Sequence, residues 1–496
     1  MGSILSVVKE TSLTYQQKLV TLAKLAEDSL DVLSLPDRVV ELMRSGAVCD
    51  MGEGHAPYRP RYVLPDYARF LKQGSDFLGI APPDDMRDAV DALLALYHHV
   101  PSITSFPVWI GGVDELLEPY HESDAETRRC LKTLITHVDR TLNDSFCHMN
   151  LGPRGGRVTD IALELTAAAY GGVTNLSFKY DPDATPDATF ELAVRAAMET
   201  AKPAFANHRT YVGELGERYG IASCYNGLAV GGGSFTLARL NLRALAETAS
   251  DFDDLYERAL PEAVDATLAL IDERVRFLVE ESGFFESSFL VREGLISKDR
   301  FTAMFGIVGL AEAVNQSMRL TDPASRFGHS EAADEAGERI IARIAERVRS
   351  HRAPLVEHPD GRYALHAQVG LSDDERTTPG CRIPIGEEPE LHDHLRRAAR
   401  FHRYFQSGIG DIFSIEPTAK RNPSYLCDLV KGAFAVGMRY LSFYASDSDV
   451  IRISGYLVKR SEAERLRAGE AVPQDTSALG LAAFDSLKVL ERKIRA

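Results

Sequence analysis

The sequence is short of positive charge: 56 Lys and Arg stand against 72 Asp and Glu, a formal net charge of −16. Nucleic acid and anionic membranes need clustered basic residues, so neither is expected as a partner, and a small-molecule substrate is. No apolar run approaches the roughly 18–20 residues of a membrane span, and no basic start leads into an apolar core and cleavage site. The expected location is cytoplasmic. Six cysteines (Cys49, Cys130, Cys147, Cys224, Cys381, Cys427) are scattered without a C-x-x-C pair, which excludes a zinc ribbon and argues against a disulfide scaffold. No bound metal is expected. Neither a G-x-G-x-x-G fingerprint nor a P-loop is present; Gly231-Gly232-Gly233 fits neither pattern. Met1-Gly2-Ser3-Ile4-Leu5-Ser6 fits the myristoylation pattern, but so short a match is common by chance.

A hydrophobic content of 45% with 26% charged residues is that of an ordered globular chain, and 496 residues suffice for one long α/β unit. Helical spacing recurs over Tyr15 to Arg44, broken at Pro36, and again over 84–98, 124–143, 159–170, 188–200, 254–282, 334–349, 390–405 and 424–436. A further helix is expected from an N-cap at Ser297 through Phe305 to Met318. Short apolar runs alternate with these helices, notably Ile103–Gly112, which holds Trp109, the single tryptophan, and reads as a buried strand and its turn. Alternation of this kind argues for α/β architecture with a largely parallel sheet.

Near the C-terminus, Val450-Ile451-Arg452-Ile453-Ser454-Gly455-Tyr456-Leu457-Val458 begins as a strand and breaks at a glycine. Alone, such a glycine marks a bulge or a close backbone approach. The flanks say more: Arg452-Ile453-Ser454-Gly455-Tyr456 resembles the glycyl radical signature of the glycyl radical enzymes. Thr302 to Asn315, with Gly306-Ile307-Val308-Gly309-Leu310-Ala311-Glu312, resembles a helix of anaerobic ribonucleotide reductases. Taken with the tail (Lys459-Arg460-Ser461-Glu462 and Gly469 to Thr476), the resemblance is closest to the YjjI family.

The resemblance implies a ten-stranded α/β barrel of two five-stranded half-sheets surrounded by helices, residues 1–405, followed by a C-terminal glycyl radical domain, residues 406–496. It implies a radical at Gly455, installed by a separate radical S-adenosylmethionine activase with a [4Fe–4S] cluster, no permanently bound cofactor, and a homodimer. It also implies a cysteine on a loop inside the barrel that receives the radical as a thiyl. Cys224 is the candidate, since Ser223-Cys224-Tyr225-Asn226-Gly227 reads as a loop between two strands, and loops display reactive groups. Cys381 and Cys427 are the runners-up. A hydrolytic pairing of a cysteine with His208 or His329 has no local signature behind it.

Polar candidates for a substrate are Asn226, Arg239, Asn241, Glu312 and Asn315, with Trp109. Arg239 and Asn241 alternate and share a strand face; Glu312 and Asn315 are three apart on a helix. His392 and His394 are expected to be solvated. Gly408-Ile409-Gly410 is a candidate hinge. The chain departs from known branches: it lacks the reductases' paired cysteines, Asn226 stands where dehydratases carry glutamate, and Ser223 stands where pyruvate formate-lyase carries a second cysteine. Other readings are a nucleotide-reductase-like enzyme, or a non-catalytic binding protein with this fold, which an exposed Gly455 loop would favour.

Overall fold

The computed structural model describes every residue except 1–3, 55, 105, 143–145, 169–171, 173, 359, 368–376, 475, 487 and 496. Gly2, Ser105 and Asp475, within motifs quoted above, lie outside the described residues.

The strands are β1 (Val48–Cys49), β2 (Tyr62–Leu64), β3 (His148–Leu151), β4 (Asn175–Tyr180), β5 (Ala204–Asn207), β6 (Tyr219–Ala222), β7 (Asn226–Ala229) and β8 (Gly232–Asn241). They continue with β9 (Phe301–Val308), β10 (Ala364–Ala367), β11 (Asp411–Ile415), β12 (Tyr440–Ala445), β13 (Val450–Arg452), β14 (Leu457–Lys459) and β15 (Ile494–Arg495). One sheet runs β1-β8-β9-β10, with β2 also on β8; β8, β9 and β10 are mutually parallel, and β1 and β2 run against β8. The other runs β15-β11-β12-β5-β4-β3 and is parallel except where β12 meets β5. Two hairpins, β6–β7 and β13–β14, stand apart from both sheets.

The expected closed barrel of ten strands is not what the ladders form. Among the described residues one isolated bridge, His366 to Gly408, connects β10 of the first sheet to the segment that leads into β11 of the second. The segment at 407–408 divides its bonds between β10, through Ala367 N–H to Gly408 O, and β7, through Gly227 N–H to Ser407 O, and a Cβ at Gly408 would fall 2.2 Å from the Tyr225 carbonyl oxygen, so it extends no ladder of its own. Gly408 and Gly410, read from the sequence as a hinge, thus serve close packing, Gly410 lying against the Tyr440 ring.

The helix expected from Ser297 is instead a short turn at Lys298–Arg300, then β9, then a helix at Leu310–Ser317. All eight residues of β9 are buried. A run buried on both faces carries no alternation, so its period does not distinguish strand from helix. Gly309, at φ +78°, turns the chain from one to the other. The described residues of the Ile103–Gly112 run form no strand; their one ladder contact is a bridge from Gly112 to Asn150. The triple glycine has a packing role: a Cβ at Gly233 would meet the Tyr62 carbonyl at 2.0 Å, so β2 could not lie on β8 with any other residue there. No described helix is long and apolar enough to cross a membrane.

Candidate active site

β6 and β7 pair from Tyr219–Ala229 to Ala222–Asn226, which leaves Ser223, Cys224 and Tyr225 as the tip of a tight hairpin. Ser223 has φ 53°, a left-handed conformation uncommon for a residue with a side chain. What holds it is a full set of main-chain bonds. Its N–H donates to Val108 O at 2.8 Å, and its carbonyl accepts from His148 Nδ1 at 2.5 Å and Asn175 Nδ2 at 3.1 Å. Tyr225 fixes the other side, its hydroxyl donating to Ala367 O at 2.7 Å.

β13 and β14 pair with each other, and the turn between them is closed by Ile453 N–H to Tyr456 O at 3.1 Å. Ser454 and Gly455 form its tip. The loop is buried: Ile453, Ser454 and Tyr456 are each no more than 2% exposed. A Cβ placed on Gly455 would lie 2.2 Å from Cys224 Cβ, 2.7 Å from Sγ and 3.1 Å from Cα. The two hairpin tips therefore touch, and at the contact point only glycine fits.

Four side chains join the tips to the body. Asn175, the first residue of β4, donates from Nδ2 to Gly455 O at 2.8 Å. Arg382 donates to Ser454 O at 2.9 Å and Gly410 O at 2.8 Å. Arg452 donates to Ala201 O at 2.8 Å and Asn175 Oδ1 at 3.1 Å. Arg492, from the tail, closes over Arg452 O and Ile453 O, both at 3.0 Å.

Burial pushes the Cys224 thiol up to about 12, against the smaller opposing pull of the Ser223 hydroxyl and of Arg382, Arg61 and Arg452. The group is a thiol with its hydrogen in place, not a thiolate. His148, also buried, is pushed down to about 3 and is neutral. Since Ser223 O only accepts, the His148 proton sits on Nδ1, and Nε2 accepts from Ser177 Oγ at 2.8 Å. The Tyr440 hydroxyl completes the net, 2.9 Å from Ser177 Oγ and 3.3 Å from Cys224 O.

A family model described as glycyl radical enzyme YjjI-like matches residues 13–495. The chain belongs to the YjjI-like family of glycyl radical enzymes. An uncharacterized protein YjjI of Escherichia coli is 43% identical over 99% of this chain and 95% of its own. An uncharacterized protein of Haemophilus influenzae is 41% identical over 100% of this chain and 98% of its own. Among solved structures, an anaerobic ribonucleotide reductase superposes with a TM-score of 0.67 at 13% identity, covering 93% of this chain and 91% of its own. Hydroxyproline dehydratase from Clostridioides difficile gives 0.65 at 10% identity, covering 100% and 89%. These likenesses establish that the mixed α/β fold matches the barrels of glycyl radical enzymes.

The remaining candidates of this YjjI-like chain are spread over the molecule. Asn226 is buried beside the cysteine loop, with Nδ2 donating to Ala222 O and no partner for Oδ1. Trp109 is buried one layer further out, its indole N–H donating to Asn150 Oδ1 at 3.0 Å. Arg239 and Asn241 line a separate open cleft of about 890 Å³ with Arg44, Arg243 and Glu247; Cys224 is not part of its wall. Glu312 accepts from the Thr378 N–H at 3.1 Å and from its hydroxyl, and Asn315 accepts from Phe327 N–H at 2.9 Å, so both tie the Leu310–Ser317 helix to neighbouring loops. His394 is not solvated: it is 3% exposed and 3.4 Å from Asp411. Cys381 and Cys427 are also buried, Cys427 in the Pro423–Ala435 helix. His208 contacts the Tyr219 hydroxyl, and His329 contacts Glu387 O. Among the described residues no three His, Cys, Asp or Glu side chains gather as a metal site. Asn175, His148 and Arg382, which hold the tips, carry no sequence signal that singles them out, because their partners are main-chain carbonyls distant in the chain.

Proposed function

We propose that Gly455 stores a radical and exchanges it with Cys224, whose thiyl abstracts hydrogen from a small organic substrate to start a cleavage, elimination or rearrangement. The observation that carries this reading is the contact of the two hairpin tips at a position where only glycine fits. An exposed Gly455 loop, which would have favoured a non-catalytic binding protein, is not found: Gly455 is buried.

The hydrogen count closes. A radical S-adenosylmethionine activase supplies the initial abstraction from the Gly455 Cα. The glycyl radical then takes the hydrogen of the Cys224 thiol, remaking Cα–H and leaving the thiyl. The thiyl takes a substrate hydrogen, remaking S–H; after rearrangement the product radical takes it back. The cycle consumes no electrons. The raised thiol range suits this use, because a thiolate would have no hydrogen to give. Burial excludes water and oxygen from both radicals. Residues 1–405 as barrel, with 406–496 as the radical domain, remain the division we propose.

The test needs no substrate. Anoxic activation should give a glycine-type doublet by electron paramagnetic resonance, absent in Gly455→Ala. Protein unfolded and refolded in D2O before activation carries a deuterated Cys224 thiol, so repeated transfer with Gly455 should collapse the doublet to a singlet. Cys224→Ala should give a doublet that persists in D2O. No doublet in the wild type, or collapse without Cys224, would overturn the reading.

A further inference from the structure

Asn175 contacts both tips through one nitrogen. Its Nδ2 has two hydrogens, one directed at Gly455 O (2.8 Å) and one at Ser223 O (3.1 Å). The amide orientation follows from the bonding: Oδ1 accepts from Leu176 N–H at 3.0 Å and from Arg452 Nη2 at 3.1 Å, so the nitrogen faces the two carbonyls. The residue is 0% exposed, its main-chain N–H donates to Cys147 O at 3.0 Å, and it stands at the head of β4, an inner strand of the six-stranded sheet paired on both sides. All four of its side-chain bonding sites are thus used, and two of them span the gap across which the hydrogen passes.

Resting on the function proposed above, we infer that Asn175 is the positioning residue that sets the Gly455–Cys224 separation. It touches neither reacting atom. It acts by holding the carbonyl of Gly455 and the carbonyl before Cys224 on one rigid amide, so that the two tips share a single reference point on the sheet. Hydrogen transfer is steep in distance, and a displacement of about 1 Å can cost on the order of 10²-fold. The inference also accounts for Arg452, whose guanidinium fixes the amide from behind and leaves Asn175 one orientation.

The experiment is the deuterium collapse, run on full-length activated protein. Asn175→Asp keeps the shape and the acceptor for Arg452 and replaces the two N–H donors with an acceptor oxygen that faces the Ser223 and Gly455 carbonyls, so the amide bridge is lost and the two tips are pushed from it. The variant should form the doublet in yield comparable to wild type while collapsing at least ~10-fold more slowly. Asn175→Ser, with a single shorter donor, should also be slowed, and serves if the aspartate fails to fold. Collapse within twofold of the wild-type rate in a folded variant would overturn the inference while leaving the function standing. So would loss of the doublet in both folded variants, since Asn175 would then act in activation and not in transfer. Persistence of the doublet in wild-type protein would instead remove the underlying reading.

Discussion

Gly455→Ala probes the contact directly. Gly455 is not among the glycines with positive φ, so alanine meets no backbone strain there and the whole perturbation is the added methyl. That methyl would start 2.2 Å from Cys224 Cβ, where ordinary carbon contacts lie at about 3.5–4.0 Å. The tips must part by roughly 1.3–1.8 Å, an overpacking that costs about 1–3 kcal/mol in a filled interior. A gain of about 0.4–1 kcal/mol from the stiffer unfolded chain offsets part of this. A double-mutant cycle separates the two, because that gain is the same in any background. In Cys224→Gly the opposing Cβ is gone, so the Gly455→Ala penalty should shrink there, giving a coupling of about 1–3 kcal/mol in denaturant unfolding. Cys224→Ala, which removes Sγ but keeps the Cβ at 2.2 Å, should retain most of the penalty. A coupling below about 0.5 kcal/mol, the usual additivity error, would mean the tips do not touch, and the argument for transfer would fail with it.

Other outcomes follow from the buried titratable groups. With its thiol pushed up to about 12, Cys224 should resist iodoacetamide at pH 8 in the inactive protein and react only on unfolding; alkylation there at the rate of a free cysteine would show the loop to be open. His148, His366 and His402 are each held neutral by burial at about 3, and His402 Nδ1 accepts a main-chain N–H from Arg439. Their folded ranges lie below the unfolded one, so the stability they contribute is full above about pH 6.5 and is lost as pH falls toward 3. Between pH 7 and 5.5 each should cost about 1.3 kcal/mol, roughly 4 together. Asp114, raised to about 6 by burial, gains protons in the folded state and returns less than about 1 kcal/mol. Unfolding titrations at the two pH values that differ by less than about 1 kcal/mol would show that these histidines are solvated.

The helices were legible because their apolar spacing is periodic, as at Asp187–Thr200 and Glu331–Ser350. β9 was not, since its burial on both faces leaves an unpatterned apolar run ahead of a helix. Of the site, Gly455 was readable from its flanks and Cys224 from the loop around it, because both motifs are local. Asn175 and His148 were invisible for the opposite reason: their work is done on carbonyls that only folding brings near. The same holds for Arg239 and Asn241, correctly placed on one face, though that face lines a cleft away from Cys224.

One consequence of the β13–β14 hairpin concerns how anything reaches Gly455. Among the described residues, the backbone-to-backbone bonds of 450–459 stay within the hairpin or reach its immediate flanks, and the tie to the six-stranded sheet runs through side chains, Asn175 to Gly455 O above all. Withdrawing it unzips no ladder, while β12 before it and β15 after it remain anchored in the six-stranded sheet. Apolar burial adds the larger resistance: Ile451, Ile453, Tyr456, Leu457 and Val458 are all within 1% of full burial. At about 1.5–3 kcal/mol for each large apolar side chain, exposing the five would cost roughly 7–15 kcal/mol. Part of that is spared if the Thr476–Ser486 helix, whose Gly480 sits against Val458, travels along. The Gly455 loop is therefore held by apolar burial together with a few side-chain hydrogen bonds from Asn175, Arg382 and Arg492, and a protein that draws it out must offer an oily surface as well as donors for the carbonyls it frees.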